Sequence, residues 1–118
     1  MKLTIKEQER LMMFTIAEMS RRRWKRGWKL NYIEAMAIIC DELLERAREG
    51  KSNIYDLVEL GSKIITEEDV MEGTPALMPI IMLEVMFPDG NKLVTVQDPV
   101  RLEKREEAVP MDELITMN

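Results

Sequence analysis

The feature that most constrains the fold of this chain is a hairpin signal between residues 70 and 100. Two runs of β-forming residues, Ile80–Phe87 and Lys92–Val96, flank the sequence Pro88-Asp89-Gly90-Asn91. Asp-Gly between such runs is typical of a tight β-turn, because glycine adopts positive φ angles without steric cost. In the first run both faces are apolar except at Glu84, so we expect both faces to be covered. A two-stranded hairpin is marginal alone, so helices of this chain or another subunit must pack on it.

Helix signals occupy the sequence before the hairpin. Capping residues and stop signals predict three helices: from Thr4, with Glu7 completing a capping box, to about Trp24; from the N-cap Asn31 to Gly50; and from Ser52 or Asn53 to about Gly61. A further short helical turn starts at Thr66, and Pro75 and Pro79 exclude a long helix after it. The sequence therefore predicts one α+β domain, with three to four helices followed by a C-terminal β-hairpin.

The first two predicted helices differ in their apolar pattern. The first carries a wide apolar stripe at three- and four-residue spacing, formed by Leu11, Met12, Phe14, Ile16, Ala17 and Met19. The second is apolar on nearly two sides, so we expect it to be central in the fold. The methionines on these helices and on the first strand are interpreted as filler for the core or for an interface, since the thioether side chain is adaptable.

Charge is unevenly distributed along the chain. Residues 1–29 carry a net charge of +6 and residues 30–118 a net charge of −11. The basic segment Arg21–Lys29, with Trp24 and Trp28, indicates a nucleic-acid patch or, alternatively, a helix end whose cations meet glutamates of a partner. The acidic balance of the whole chain argues against DNA, because phosphate contacts dominate such affinity. From the basic segment alone, a small nucleic-acid-binding protein or a free-standing interaction module stays open as an alternative to a structural subunit.

The composition excludes several kinds of catalytic site. The chain has no histidine, so it can build neither a His-based catalytic pair nor a His-ligated metal centre alone. Cys40 lies among aliphatic residues and is interpreted as a buried, inert thiol. The acidic cluster Glu67, Glu68, Asp69 and Glu72 lacks calcium-loop spacing and is interpreted as a helix start. We predict no catalytic, cofactor-binding or metal-binding residue in this chain.

Sequence patterns also bear on localisation. No apolar run approaches the roughly 18 residues of a membrane span, and the first residues lack the apolar block of a secretory signal. A single cysteine suits a reducing compartment. We therefore expect a cytoplasmic protein without a membrane partner.

Three segments resemble the urease gamma subunit family. They are Met1-Lys2-Leu3-Thr4, Gly27-Trp28-Lys29-Leu30-Asn31-Tyr32-Ile33-Glu34-Ala35, and the VMEG and FPDGNKLVTVQDP motifs between residues 70 and 99. The three lie in the same order and spacing as in the family, and the resemblance covers residues 1–100. It implies a urease gamma-like domain over 1–100 and an extension over 101–118.

The resemblance implies a non-catalytic structural subunit of urease, the nickel enzyme that hydrolyses urea to ammonia and carbamate. In that family the two nickel ions and their ligands belong to the alpha subunit. Gamma chains pack with beta and alpha subunits, typically as a trimer of heterotrimers or a higher assembly. The resemblance thus implies no cofactor in this chain, two nickel ions in the partner alpha subunit, and no nucleic-acid partner.

Two regions depart from the family pattern, and six residues are candidates for subunit contacts. Gln97 stands where the family usually has a histidine. The extension is predicted to reach onto a neighbouring subunit, and its residues 108–115 faintly resemble the start of a beta portion. The predicted interface residues are Arg22, Trp24, Trp28, Met82, Met86 and Phe87.

Overall fold

A computed structural model describes residues 1–116 and confirms the predicted α+β order, with four helices followed by an antiparallel hairpin. The elements are α1 (Ile5–Lys25), α2 (Tyr32–Glu49), α3 (Ile54–Gly61), α4 (Thr74–Leu77), β1 (Ile80–Phe87) and β2 (Gly90–Gln97). Short 3-10 helices cover Glu67–Asp69, Arg105–Glu107 and Met111–Glu113. Met117 and Asn118, the end of the predicted extension, lie outside the described residues.

The three long helices begin at capping boxes. The side-chain oxygens of Thr4, Asn31 and Asn53 each accept a hydrogen bond from a backbone N–H three residues later. In each case the carboxylate of the acidic residue at that later position accepts a hydrogen bond from the backbone N–H of the cap residue. These contacts satisfy N–H groups that a helix start leaves without partners, which fixes where each helix begins. Of the two starts considered for α3, the structure selects Asn53.

Helix α2 is central, as its two-sided apolar pattern predicts. It packs against α1, α3 and β1. Ile38, Ile39 and Leu43 are fully buried on it, and burial of each such side chain contributes about 1.5–3 kcal/mol. Gly50, in a left-handed conformation with φ 84°, ends the helix.

The hairpin is covered on one face by the chain itself. Strand β1 pairs with β2 in a register that places Ile80 opposite Gln97 and Phe87 opposite Gly90. Burial alternates along β1, so Ile81, Leu83, Val85 and Phe87 are buried while Ile80, Met82, Glu84 and Met86 are exposed. Both faces were expected to be covered, but the helices of this chain cover only the inner one. The outer face is largely exposed: on β1 it is apolar except at Glu84, and on β2 it carries Leu93 among polar residues.

The C-terminal segment, residues 101–116, folds back onto its own chain. The backbone N–H groups of Glu67 and Glu68 donate to carbonyls of residues 102 and 103, at 2.9 and 3.2 Å. Val109 N–H donates to the Lys63 carbonyl at 2.8 Å, and Leu114 and Ile115 are buried. The segment thus lies against its own chain, and its contact with a neighbouring subunit stays a prediction. The charged stretch 101–107, expected to be solvated, contains one largely buried arginine, Arg105.

Candidate subunit interface

Metal-ligating side chains and the single cysteine are the first candidates for a functional site. Within residues 1–116, no group of three or more histidine, cysteine, aspartate or glutamate side chains is placed to hold a metal ion. Burial, together with the charge of neighbouring Asp41, raises the pKa of the Cys40 thiol to about 11. A thiol with so high a pKa is a poor nucleophile at neutral pH.

Asp69, the most buried residue of the acidic cluster, has a structural role. Asp69 accepts hydrogen bonds from the Thr66 hydroxyl at 2.7 Å and from the Trp24 indole N–H at 3.2 Å. It also forms an ion pair with Arg105 at 2.8 Å. Glu67 and Glu68 are exposed on the same 3-10 helix. Because these partners occupy both oxygens of Asp69, its carboxylate joins three parts of the chain.

The outer face of the hairpin is the first exposed apolar surface. Met82 is 64% exposed and Met86 is 73% exposed, with Ile80 and Leu93 also exposed on the two strands. A groove of about 410 Å³ separates this hairpin from α1. Lys6 reaches across to Glu84 at 3.1 Å, but both side chains are solvated, so the ion pair contributes little. Soft, adaptable methionines suit a surface that packs against another protein.

The outer face of α1 is the second exposed apolar surface. Helix α1 buries Ala17, Ser20, Arg21 and Trp24. The larger residues of the predicted stripe point away from this chain, so Leu11, Met12, Phe14 and Met19 are exposed. Ala17 and Ser20 are fully buried, while these large apolar side chains stay about half exposed within residues 1–116. This surface was not among the predicted interface residues, although the stripe itself was visible in the sequence.

An ion-pair network joins α1 to α2 and uses part of the basic segment. Arg21 pairs with Asp41 at 2.7 Å and with Glu42 at 2.9 Å, and Arg10 pairs with Asp41 at 2.7 Å and with Glu45 at 2.6 Å. Burial disfavours the Arg21 charge, but Asp41 and Glu42 outweigh it and raise the arginine's pKa. Burial raises the pKa of Glu42, against the opposing effect of Arg21. These cations hold the fold together.

The remainder of the basic segment is divided between the surface and the core. Arg22 is exposed, and its closest carboxylate is Glu18 at 3.9 Å. Trp28 is 55% exposed, with the Arg26 guanidinium carbon 5.9 Å from the centre of its ring. Trp24 is buried and bonded to Asp69.

The six predicted interface residues thus fall into two groups. Arg22, Trp28, Met82 and Met86 are exposed and available to a partner. Trp24 and Phe87 are buried in the core of this chain, where they support the exposed surfaces from beneath. Their placement in the single chain leaves the interface assignment itself a prediction.

Comparison with known proteins identifies the family. A family model described as urease, gamma subunit, matches residues 1–100. The urease subunit gamma of Natronomonas pharaonis is 50% identical over 107 residues, which are 91% of this chain and 97% of that protein. The urease subunit gamma/beta proteins of two Pseudomonas syringae pathovars, syringae and tomato, are each 50% identical over 101 residues. Those residues are 86% of this chain but only 43% of each gamma/beta protein.

These matches confirm the resemblance and do not support the nucleic-acid alternative. None of the helices formed by residues 1–116 is long and apolar enough to cross a membrane. Within the basic segment, Arg21 and Arg23 form ion pairs with carboxylates of the same chain. By its family model and its relatives, this chain belongs to the urease gamma subunit family and is a structural subunit of urease.

Proposed function

We propose that this chain contributes binding surfaces and no catalytic group to the urea-hydrolysing complex, and that it docks onto beta and alpha subunits. The observation that carries the proposal is the exposed apolar outer face of the hairpin. Monomeric proteins rarely leave contiguous apolar patches uncovered unless another molecule binds there. The outer face of α1 offers a second such surface. Two separate faces suit a chain that contacts more than one neighbour.

The catalytic chemistry of the complex belongs, in this proposal, to another subunit. The sequence contains no histidine, which removes the nitrogen ligand that nickel takes most readily from proteins. The two nickel ions would then be held by the alpha subunit, and this chain would support the architecture around them. A cytoplasmic trimer of heterotrimers, or a higher assembly built from it, is the arrangement that we propose.

The predicted interface residues enter this proposal with different roles. Met82 and Met86 would pack directly on a neighbouring subunit. Arg22 and Trp28, at the other end of α1, would form a second contact. Trp24 and Phe87 would hold these surfaces in place, since both are buried against the core.

Co-expression with beta and alpha subunits tests the proposal. We expect the unmodified chain to enter a stoichiometric complex by native mass spectrometry, with urea-dependent ammonia release that is lost when the chain is omitted. A Met82→Asp/Met86→Asp variant should lower the yield of complex at least about tenfold, because burying a carboxylate without a partner is costly.

The matched control is Tyr55→Asp, which places a carboxylate at a residue that is 80% exposed on α3. It should assemble normally, and both variants should keep the circular-dichroism melting profile of the unmodified chain. A hairpin variant that assembles as well as the control would refute docking through this face. A chain that never joins the complex would refute the structural role.

A further inference from the structure

A cleft lies where α1 ends and α2 begins. It has a volume of about 480 Å³ and is lined by Arg23, Trp28, Lys29, Asn31, Glu34 and Met71. None of these residues lines the groove beside the hairpin. The cleft is therefore separate from the surface that carries the proposed function. Its apolar walls are the side chains of Trp28 and Met71, both at least half exposed.

Backbone hydrogen bonds fix the two apolar walls. Trp28 N–H donates to the Arg23 carbonyl at 3.2 Å, which holds the tryptophan against the end of α1. On the other side, Met71 N–H donates to the Leu30 carbonyl at 2.9 Å, and Leu30 N–H donates to the Asp69 carbonyl at 2.9 Å. The walls are thus held before any partner arrives, which lowers the entropy cost of binding.

The charges of the cleft are predominantly positive. Arg23 pairs with Glu34 at 2.6 Å, so those two charges offset each other. Arg26 lies over the Trp28 ring, and the Lys29 ammonium donates to the backbone carbonyl of Glu68. Neither Arg26 nor Lys29 forms an ion pair with any carboxylate of residues 1–116. Lys29 therefore lines the cleft and Arg26 lies beside it at Trp28, each without an ion-pair partner among residues 1–116.

We infer that this cleft receives a segment of a partner urease subunit in which an apolar side chain is flanked by aspartate or glutamate. The apolar side chain packs between Trp28 and Met71, and the carboxylates meet Arg26 and Lys29. Tryptophan and arginine are the residues most enriched where interfaces concentrate their binding energy. Opposite charges across the contact favour the correct partner and speed association. The inference rests on the proposed structural role.

An acidic protein segment fits this cleft better than a nucleic acid does. The whole chain carries a net charge of −5, which disfavours a long phosphate backbone because phosphate contacts dominate nucleic-acid affinity. A protein segment needs only carboxylates placed at Lys29 and Arg26.

The binding test uses the full-length chain added to a beta–alpha complex prepared without it. We expect Trp28→Ala, and separately Arg26→Glu/Lys29→Glu, to weaken binding at least about tenfold, as loss of a central interface residue does. The affinity of the unmodified chain should fall with added salt, and that of the charge-reversed variant should depend less on salt. The matched controls are Tyr55→Ala, an aromatic residue that is 80% exposed on α3, and Lys51→Glu, a solvated cation.

Zero-length cross-linking with a carbodiimide in the assembled complex identifies the occupant. A bond from the Lys29 amine to an aspartate or glutamate of a beta or alpha subunit supports the inference. Cross-links only within this chain or to a second copy of it overturn the inference. Variants that bind the other subunits normally but lose affinity for a single-stranded oligonucleotide overturn it in favour of a nucleic acid.

The two proposals fail in different ways. If the unmodified chain does not bind the beta–alpha complex, the structural role fails and the cleft inference falls with it. If the chain binds, and Met82→Asp/Met86→Asp disrupts binding while Trp28→Ala and Arg26→Glu/Lys29→Glu do not, the cleft inference and the second contact at Trp28 fail. Docking through the hairpin then stands.

Discussion

Arg105 should be a principal stabilising residue of the C-terminal segment. Its Nη1 donates to the Asp69 carboxylate at 2.8 Å and to the Ile64 carbonyl at 2.7 Å, and its Nη2 donates to the Val109 carbonyl at 2.5 Å. The guanidinium carbon lies 5.3 Å from the centre of the Trp24 ring. One side chain therefore ties the segment to the turn before α4, to the end of α3 and to α1.

Replacing Arg105 with methionine keeps most of the side-chain volume and removes the charge. Removing one partner of a buried ion pair typically costs about 3–5 kcal/mol. Here Asp69 keeps its hydrogen bonds from Thr66 and Trp24, and the Arg105 side chain is 19% exposed. We therefore expect Arg105→Met to lower the free energy of unfolding by about 2–4 kcal/mol. For a domain of this size that corresponds to a fall in Tm of roughly 10 °C.

Urea unfolding of the purified chain, followed by circular dichroism, measures the effect. Arg101→Met is the matched control, since Arg101 is exposed and donates only to the carbonyls of Gln97 and Asp98. Such a surface change should stay within about 0.5 kcal/mol. In a double-mutant cycle, Asp69→Asn should make Arg105→Met less costly, because the two share one contact. Equal losses from Arg105→Met and Arg101→Met would refute the reasoning.

Three further predictions concern the core. A Cβ atom at Gly61 would lie 2.6 Å from a Val96 methyl, so Gly61→Ala should cost about 1–3 kcal/mol in urea unfolding, and adding Val96→Ala should recover part of it. Because the pKa of the Cys40 thiol is about 11, the folded chain should react with a thiol reagent at pH 8 about a hundredfold more slowly than the unfolded chain. Mass spectrometry of the labelled chain measures both rates, and equal rates would contradict the burial of Cys40. Because burial raises the pKa of Glu42 above its ordinary 4.5, the folded chain binds its proton more tightly, and this residue's contribution to stability should decrease as pH rises from about 4.5 through the raised pKa. Glu42→Gln should flatten that part of the stability profile, and an unchanged profile would contradict the assignment.

The elements that the sequence predicts best are those set by neighbouring residues. The capping boxes at Thr4, Asn31 and Asn53 each act within four residues. The turn at Asp89-Gly90 likewise joins strands that are adjacent in the sequence, with Phe87 paired opposite Gly90. In each of these signals the interacting residues are close together in the sequence, so the rest of the fold is not needed to predict them. The end of α3 near Gly61 was also predicted from the sequence, although only the structure shows that Val96 lies close to where a Cβ atom at Gly61 would be.

The outward orientation of α1 could not be read from its periodicity. A repeat of three and four residues shows that Leu11, Phe14 and the other stripe residues share a face, but not what covers that face. The contact with α2 includes the ion pairs of Arg21 with Asp41 and Glu42, and of the stripe residues Ala17 is fully buried. In a subunit of a complex, the apolar face of a helix need not be the face that packs against the core of its own chain.

The contacts around Asp69 were equally hidden. Trp24, Asp69 and Arg105 are separated by 45 and 36 residues along the chain. An acidic residue near a helix start has a local explanation in the helix dipole, and that explanation is sufficient without the two distant partners. Only the folded chain brings them within hydrogen-bonding distance, so the sequence did not show that Arg105 ties the C-terminal segment to its own chain.

The two tryptophans of the basic segment show how a single turn separates folding from recognition. Trp24 and Trp28 are four residues apart, so an uninterrupted helix would place them on one face. Helix α1 ends at Lys25, and Gly27 adopts a left-handed φ of 86° that redirects the backbone. Trp24 therefore enters the core while Trp28 turns out beside Arg26. Substitution of Trp24 should then change stability before assembly, and substitution of Trp28 should change assembly without changing stability.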